Sequence, residues 1–316
     1  MPERVVSLVV GWCADRLLGD PARGHPVAGF GWAAGRLEAV LWAPSRVRGA
    51  VYAAVLVGGT AAAAAAGNQA LHRWPLARGL AEAAMVWICL GGRSLERAGE
   101  RLALVVSAGD LDAARALLPS LAGRDPAGLG AAELCRAGIE SVAENTADAV
   151  IGPLLWCAAG GLPAVAAYRA ANTLDAMVGH HSERYEQFGW AAARLDDLLG
   201  WAPARLGAAI AALAAPAVGG DRRRAWAILR RDGASHPSPN AGRLEAAFAG
   251  ALGVSLGGTN RYGSRVEHRP VLGKGPPPGP DDLLQAVRLS RLSGWVVAGL
   301  AAGVLALRSL AGAAGR

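Results

Sequence analysis

Lysine is almost missing from this chain: Lys274 stands alone, so the net charge of +7 is carried by arginine. The arginines are spread over several polar stretches, with no aromatic-rich RNA-binding motif and no zinc-finger pattern beside them, which excludes nucleic acid as the expected partner. Cysteine is also scarce. Cys13, Cys89, Cys135 and Cys157 lie far apart without a C-x-x-C pair, so neither a zinc ribbon nor a disulfide framework is expected, and the four read as buried thiols. Aromatic residues make up only 5% of the chain, fewer than a compact soluble core of this length would want. No A-x-A site follows the first apolar stretch, and Trp12 before Cys13 spoils a lipoprotein signal, so the N-terminal segment is expected to be retained. Walker A, G-x-G-x-x-G and H-E-x-x-H patterns are all lacking, which removes a standard nucleotide fold and a zinc hydrolase.

What is present in excess is apolar: 53% hydrophobic residues and a mean hydropathy of +0.26, with alanine and glycine prominent. Small residues suit close helix packing in lipid. Gly49 to Leu71 is 23 residues without a charge, enough for the ~20 that a helix needs to cross a bilayer. Ala149 to Tyr168 is equally uncharged but interrupted by Gly160, Gly161 and Pro163, so it reads as a broken or re-entrant span. Leu206 to Gly220 and Leu292 to Leu307 are further spans, and Ala83 to Gly92 is short enough to be either a span or a buried helix.

The expectation is therefore an all-α, polytopic membrane protein with about four to five membrane segments, one membrane-embedded domain over residues 1–316, in the cell membrane. Its polar regions are 1–48, 93–148, 169–205 and 221–291. If every segment spans, 169–205 falls opposite the other three; the conflict disappears if the Gly160-Gly161 segment and its successor are re-entrant. Ser94 to Val106 and Leu111 to Leu118 read as an amphipathic hairpin turning at Gly109, and Ala131 to Ala149 as a helix entering the membrane. Ser238 and Pro239 read as an N-cap and first helical residue of a helix ending near Gly253. Residues 273–280 form a Pro/Gly linker before a last helix pair. No strand pattern stands out.

Four polar clusters carry candidate chemistry. Asp15, Asp20 and His25 surround a turn, where two carboxylates suit Mg²⁺ and a plain turn is the alternative. Glu140, Glu144 and Asp148 share a helix face at i, i+4 and i+8, an arrangement that needs a cation or basic group to answer it. Arg169, Asn172 and Asp175 share another face, with Gly179 ending that helix beside His180 and His181. Asp232 to Gly242 delivers a helix N-terminus, whose free amides suit an anion such as phosphate.

The segments GDPARGHPV, ESVAENTADAVIGPLLW, YRAANTLDAMVGHHSERYEQFGWAAARLDD, RDGASHPSPNAGRLEAAFAGALGV and LGGTNRYGSR, in that order over residues 11–275, resemble the adenosylcobinamide-phosphate synthase family of cobalamin biosynthesis, called CobD or CbiB. The resemblance implies an ATP-dependent amide ligase acting on the corrinoid cobyric acid, adenosylated or not. Aminopropanol or its phosphate would be the amine, and cobinamide or its phosphate the product. Mg²⁺ with the ATP would neutralise the transferring phosphoryl group. A membrane assembly of the same pathway, handing corrinoids along, is compatible with the lipid bilayer as partner.

On residue chemistry and motif membership, Asp20, Glu144, Asp148 and Asp175 are the expected metal ligands. His25, His180 and His236 are candidates for proton transfer or phosphate contact. Arg169, Arg184 and the Ser238 helix start are expected to hold anions, with Asn145, Asn172, Tyr185, Asn240, Asn260 and Tyr262 as further substrate contacts. Two rival classes are a transporter, whose paired interrupted helices in two repeat halves are missing, and a non-catalytic relative with the same scaffold, such as a signalling protein similar to AmpE.

Overall fold

The computed structural model describes residues 2–21, 24–262 and 265–314, without the side chains of residues 2, 261, 262, 265, 312 and 314. Its helices are α1 (Pro2–Leu18), α2 (Pro26–Leu41), α3 (Arg46–Ala53), α4 (Gly59–Ala70), α5 (Pro75–Cys89), α6 (Gly92–Ser107), α7 (Leu111–Leu117), α8 (Ala131–Thr146), α9 (Gly152–Leu174), α10 (Trp190–Ala214), α11 (Arg222–Asp232), α12 (Ala241–Leu252) and α13 (Pro280–Ala314). Between α12 and α13 lie β1 (Leu256–Tyr262) and β2 (Arg265–Leu272), an antiparallel pair with Leu256 opposite Leu272 and Thr259 opposite His268. The fold is all-α and polytopic, with that one hairpin as its sheet among the described residues. By length and composition four helical stretches can cross a membrane: Arg46–Ala70, Ala131–Gly179, Trp190–Val218 and Pro280–Ala311.

Several expectations are corrected. The hairpin was not anticipated, because Gly257, Gly258 and Pro270 break the alternation that marks a strand. The third span begins at Trp190 rather than Leu206, and within 169–205 only residues 180–189 lie outside helix. Charged residues enter α10 because its own turns answer some of them: Arg194 pairs with Asp197 one turn on, at 3.7 Å. Ala83 to Gly92 is not a span by itself; α5 carries most of it and, at 15 residues, falls short of bilayer thickness. The last helix pair is one helix, α13, of 35 residues. Cys13 is exposed, while Cys89, Cys135 and Cys157 are buried free thiols.

The chain packs as two compact units, Met1–Gly91 with Gly152–Gly200 and Val297–Arg316, and Gly92–Ile151 with Trp201–Val296. In unit 1, α1 lies against α5 so closely that a Cβ on Gly11 would collide with the Ala83 carbonyl and Val86. On α3 and the π-helical turn that continues it, Val47, Val51 and Val55 form an exposed apolar stripe, whereas Tyr52 on another face is buried, donating to the Ala34 carbonyl at 3.2 Å. The stripe is the lipid-facing side that an apolar solvent demands.

The break in α9 is the most informative local feature of unit 1. Gly161 takes φ +69°, open to glycine at little cost, and Pro163 has no N–H to donate, so carbonyls of the preceding turn lose their helical partners. Two arginines answer them. Arg4 donates to the Cys157 carbonyl at 2.7 Å while pairing with Glu82, and Arg308 donates to the Ala158 carbonyl at 3.0 Å. An irregular backbone is thereby satisfied where water is excluded.

Unit 2 is built on α6, α8, α12 and the first turns of α13, around a core that includes Leu102, Leu134, Val142, Phe248, Leu283 and Val287. Gly99 and Gly138 permit the close approach: a Cβ on Gly99 would strike Val287 and Val142, and one on Gly138 would press on Leu102 and Leu283. Arg291 of α13 reaches Glu96 at 2.8 Å and Glu100 at 2.6 Å on α6, and Thr146 donates to Ser290 at 2.7 Å. The α6–α7 turn has Gly109 at φ +78°, as the sequence suggested.

Candidate functional site

Helix α8 carries Glu140 into the interior of unit 2, where it is 2% exposed. A buried carboxylate needs partners, and three segments supply them. Arg124, from the loop before α8, donates to one oxygen; the Gly257 amide of β1 donates to the other at 2.7 Å, with Arg136 at 3.4 Å. Both arginines also donate to Asn260 Oδ1, at 2.9 and 3.1 Å, and Arg136 bonds the Thr259 carbonyl at 3.0 Å. Glu140 is thus the hub that fastens the hairpin to α8.

Beside this satisfied network stands an unsatisfied one. Glu245, on α12, is 1% exposed and neither carboxylate oxygen has a hydrogen-bond partner. His236 Nε2 is also without one and sits 3.8 Å from Glu245 Oε1, and Asn260 Nδ2 is a third unpartnered atom. Burial, with the Glu140 and Glu144 charges, pushes the Glu245 carboxyl well above its ordinary range. Burial and the Arg269 charge push the His236 imidazole down. The two groups are therefore a neutral pair, not a salt bridge; with Nδ1 held as an acceptor the neutral ring carries its proton on Nε2, so the pair presents that N–H and the unpartnered carboxyl oxygens to a ligand. Glu144 is exposed, which gives the cluster a solvent-facing edge.

The start of α12 corrects one expectation. The helix begins at Ala241 with Asn240 at its cap, and Ser238 lies in the preceding turn, its Oγ accepting from the Asn240 and Ala241 amides at 3.3 and 3.1 Å. His236 Nδ1 accepts from the Ser238 amide at 3.0 Å. These amides are engaged by the chain's own side chains, so the expected anion cradle at Ser238 is not formed by them. Asn240 Oδ1 accepts from Arg205 at 3.3 Å. Asp232, at the end of α11, accepts from the Gly273 amide at 2.8 Å and from Arg231; burial raises its carboxyl, but these bonds outweigh it and hold the group below its ordinary range.

The remaining expected residues are distributed as follows. Asn145 bonds back to the Ser141 carbonyl at 3.0 Å, and Asp148 lies half-buried one turn beyond Glu144. In unit 1, Asp20 is exposed in the turn after α1, and His25 caps α2 through Nδ1, which accepts from the Val27 amide at 3.2 Å. Arg169 donates to Asn172 Oδ1 at 3.3 Å, and Asn172 donates to Asp196 at 3.2 Å. Asp175 opens the π-helical turn that ends at Gly179, where a Cβ would collide with its carboxylate. His180 meets Tyr185 edge-on at 5.0 Å. Arg184 and Tyr185 both donate to Glu38 on α2, at 2.9 and 2.8 Å, fastening the 180–189 loop. The side chain of Tyr262 lies outside the described residues.

Glu144 and Asp148 belong to unit 2, Asp20 and Asp175 to unit 1. Among the described residues no three His, Cys, Asp or Glu side chains converge as a metal-ligand group. Sequence reasoning passed over Glu245, Arg124 and Arg136. A lone carboxylate in the apolar run from Leu244 to Leu252 was the available signal for the first; nothing local marks the arginines.

A family model described as CobD/Cbib protein matches residues 8–290. The cobalamin biosynthesis protein CobD of Mycobacterium tuberculosis (strain ATCC 25618 / H37Rv) is 52% identical over 290 residues, covering 92% of each chain. Proteins of the same name from Geobacter metallireducens and Chromobacterium violaceum are 47% and 42% identical, covering 86% and 93% of this chain and 87% and 94% of their own. No solved structure matches the chain.

Proposed function

Since this chain belongs to the CobD/CbiB family, we propose that it is an ATP-dependent amide ligase of cobalamin biosynthesis in the cell membrane. It joins aminopropanol or aminopropanol phosphate to the side-chain carboxylate of cobyric acid or its adenosylated form. The observation that supports this most is the buried Glu245–His236 pair in unit 2, whose facing polar atoms have no hydrogen-bond partner.

The chemistry of the amine fits that pair. An amino-alcohol arrives as an ammonium ion, whose positive charge favours the ionised form of Glu245 and anchors the nitrogen there. The Glu245 carboxylate then takes one proton from the ammonium, which frees the nitrogen lone pair, while the neutral His236 ring, its Nδ1 accepting from the Ser238 amide, donates its Nε2–H to an oxygen of the reacting group. The lone pair attacks the activated carboxyl carbon, the C–N bond forms, and the leaving group departs with its bonding electrons and takes up the second proton. Asn260 Nδ2, also unpartnered, would donate to an oxygen of the reacting group.

ATP with Mg²⁺ supplies the activation that a carboxylate lacks as an electrophile. Magnesium is commonly held by one or two carboxylates together with phosphate oxygens, and Glu144 and Asp148, one helical turn apart, are the side chains here that would hold it. Arg124 and Arg136 are committed to Glu140 and Asn260, so their part is to position the hairpin.

The test is turnover of cobyric acid by the detergent-purified chain with either amine, with and without Mg-ATP, read by mass spectrometry. An ATP-dependent amide product is expected, reduced by roughly 10²-fold or more in Glu245→Gln, as the loss of a general base implies. No product from either amine in folded protein given adenosylated corrinoid overturns the reading.

A further inference from the structure

Helix α11, RRRAWAILRRD, begins four residues after the helical stretch Trp190–Val218 ends. Its Ala225, Ile228, Leu229 and Asp232 are buried at i, i+3, i+4 and i+7, so one face is fixed to unit 2. The opposite face carries Arg223, Ala227 and Arg230, all exposed, with Trp226 half-buried and the Arg230 guanidinium 5.7 Å from its ring. Arg222 Nε donates to the Leu213 carbonyl at 2.7 Å, which fastens the start of α11 to the last turn of α10, where the Leu213 side chain is exposed. Arg224 donates to the Gly250 and Ala251 carbonyls at 2.8 and 3.1 Å.

The charge on this helix works against its own stability. Arginines stand at its first three positions, where the helix dipole disfavours cations, and the first turn holds no acid. Asp221 caps the helix by accepting from the Arg223 amide at 2.9 Å, and Asp232 is paired with Arg231. Carbonyls neutralise no charge, so Arg222, Arg223, Arg224 and Arg230 make no ion pair among the described residues. Other helices answer such arginines within a turn: Asp112 meets Arg115 on α7, and Asp197 meets Arg194 on α10. A face kept only for water would have the same lacing. A self-repelling basic face at the end of a stretch that can cross a membrane is complementary to the anionic headgroups of a leaflet.

We infer that the exposed face of α11 binds anionic phospholipid headgroups at the bilayer surface, with Arg223 and Arg230 on the phosphates and Trp226 at the headgroup level. The headgroups supply the counter-charge that the sequence of α11 lacks, so the helix is most stable on an anionic leaflet. The surface takes no part in the amide-forming step and stands or falls separately from it.

The test is amide hydrogen exchange of the full chain in nanodiscs of phosphatidylcholine alone and of phosphatidylcholine mixed equally with phosphatidylglycerol. Residues 222–232 should exchange about tenfold or more slowly in the anionic discs, as two basic groups near an anionic surface imply, while α7 is unchanged. The protection should weaken as salt is raised. Arg223→Gln with Arg230→Gln should remove the lipid dependence, with elution and circular dichroism as in the wild type, and Arg223→Lys with Arg230→Lys should keep it. Equal exchange in the two discs, equal slowing of α7, or wild-type protection in the glutamine variant overturns the inference. Slowing by an acidic peptide or an oligonucleotide added to neutral discs, with none from phosphatidylglycerol, assigns the face to another anion and overturns it too.

Discussion

Arginine does opposite work in the two units. In unit 1, Arg4 and Arg308 are turned on the chain's own backbone, mending carbonyls that the Gly161–Pro163 break leaves open, and Arg184 joins a loop to α2 through Glu38. In unit 2, Arg124 and Arg136 converge on one buried carboxylate, and the same region holds buried polar atoms that no partner answers. The break in unit 1 is mended by its own side chains, while unit 2 leaves Glu245 and His236 unanswered, as a group kept for a ligand would be. The cost of an unpaired buried polar group is what separates the cases.

The largest expected effect that separates the units is Glu140→Ala. Removing the hub leaves two mostly buried guanidinium groups facing each other without a counter-charge, a loss of about 3–5 kcal/mol by analogy with broken buried pairs. Denaturant unfolding in mild detergent should show it, and a change within error of wild type would break the comparison. The same cut in unit 1, Glu38→Ala, should cost no more than about 1 kcal/mol, because its partner Arg184 is itself exposed. Its effect should appear instead as faster proteolysis within residues 180–189.

Between those two in size lies the pH dependence of unit 2. Glu245 has its folded pKa raised, so it contributes full stability below its ordinary value of 4.5 and loses it as pH rises towards the raised value. His236 has its folded pKa depressed below 6.5, so its contribution is full above 6.5 and is lost as pH falls. Melting temperature should fall on both sides. Glu245→Gln should flatten the alkaline fall alone and His236→Asn the acid fall alone; a profile unchanged by both substitutions would mean the pair is not buried as described.

Much of the membrane architecture was legible in the sequence. Uncharged runs near Gly49 and Ala149 announce helices in an apolar solvent, and Gly160, Gly161 and Pro163 announce the break within the second, since both signals depend only on neighbours in the chain. The boundary of the third span was misread at Arg205, because charge was counted and not its local pairing, as with Arg194 and Asp197. The hairpin was illegible because what stabilises it is not alternation of its own residues but the grip of Glu140 and Arg136 on Gly257 and Thr259. Of the site, Glu144, Asp148, His236 and Asn260 were picked out as candidates by their motifs. Glu245 was not, because a single acid in an apolar helix shows its meaning only when its surroundings are known to lack donors.

The sequence by itself determined that this is a helical membrane protein with polar clusters at four places, and its motifs identified the family. Those are consequences of composition and of short-range order, which any one stretch of chain carries. Tertiary structure alone decided which arginine meets which carboxylate, and that Glu245 and His236 are buried side by side with their facing polar atoms unpartnered. Arg124 and Asn260 are separated by 136 positions. A charge's energy depends on what surrounds it in space, and for groups so far apart in sequence only the packed fold supplies those surroundings.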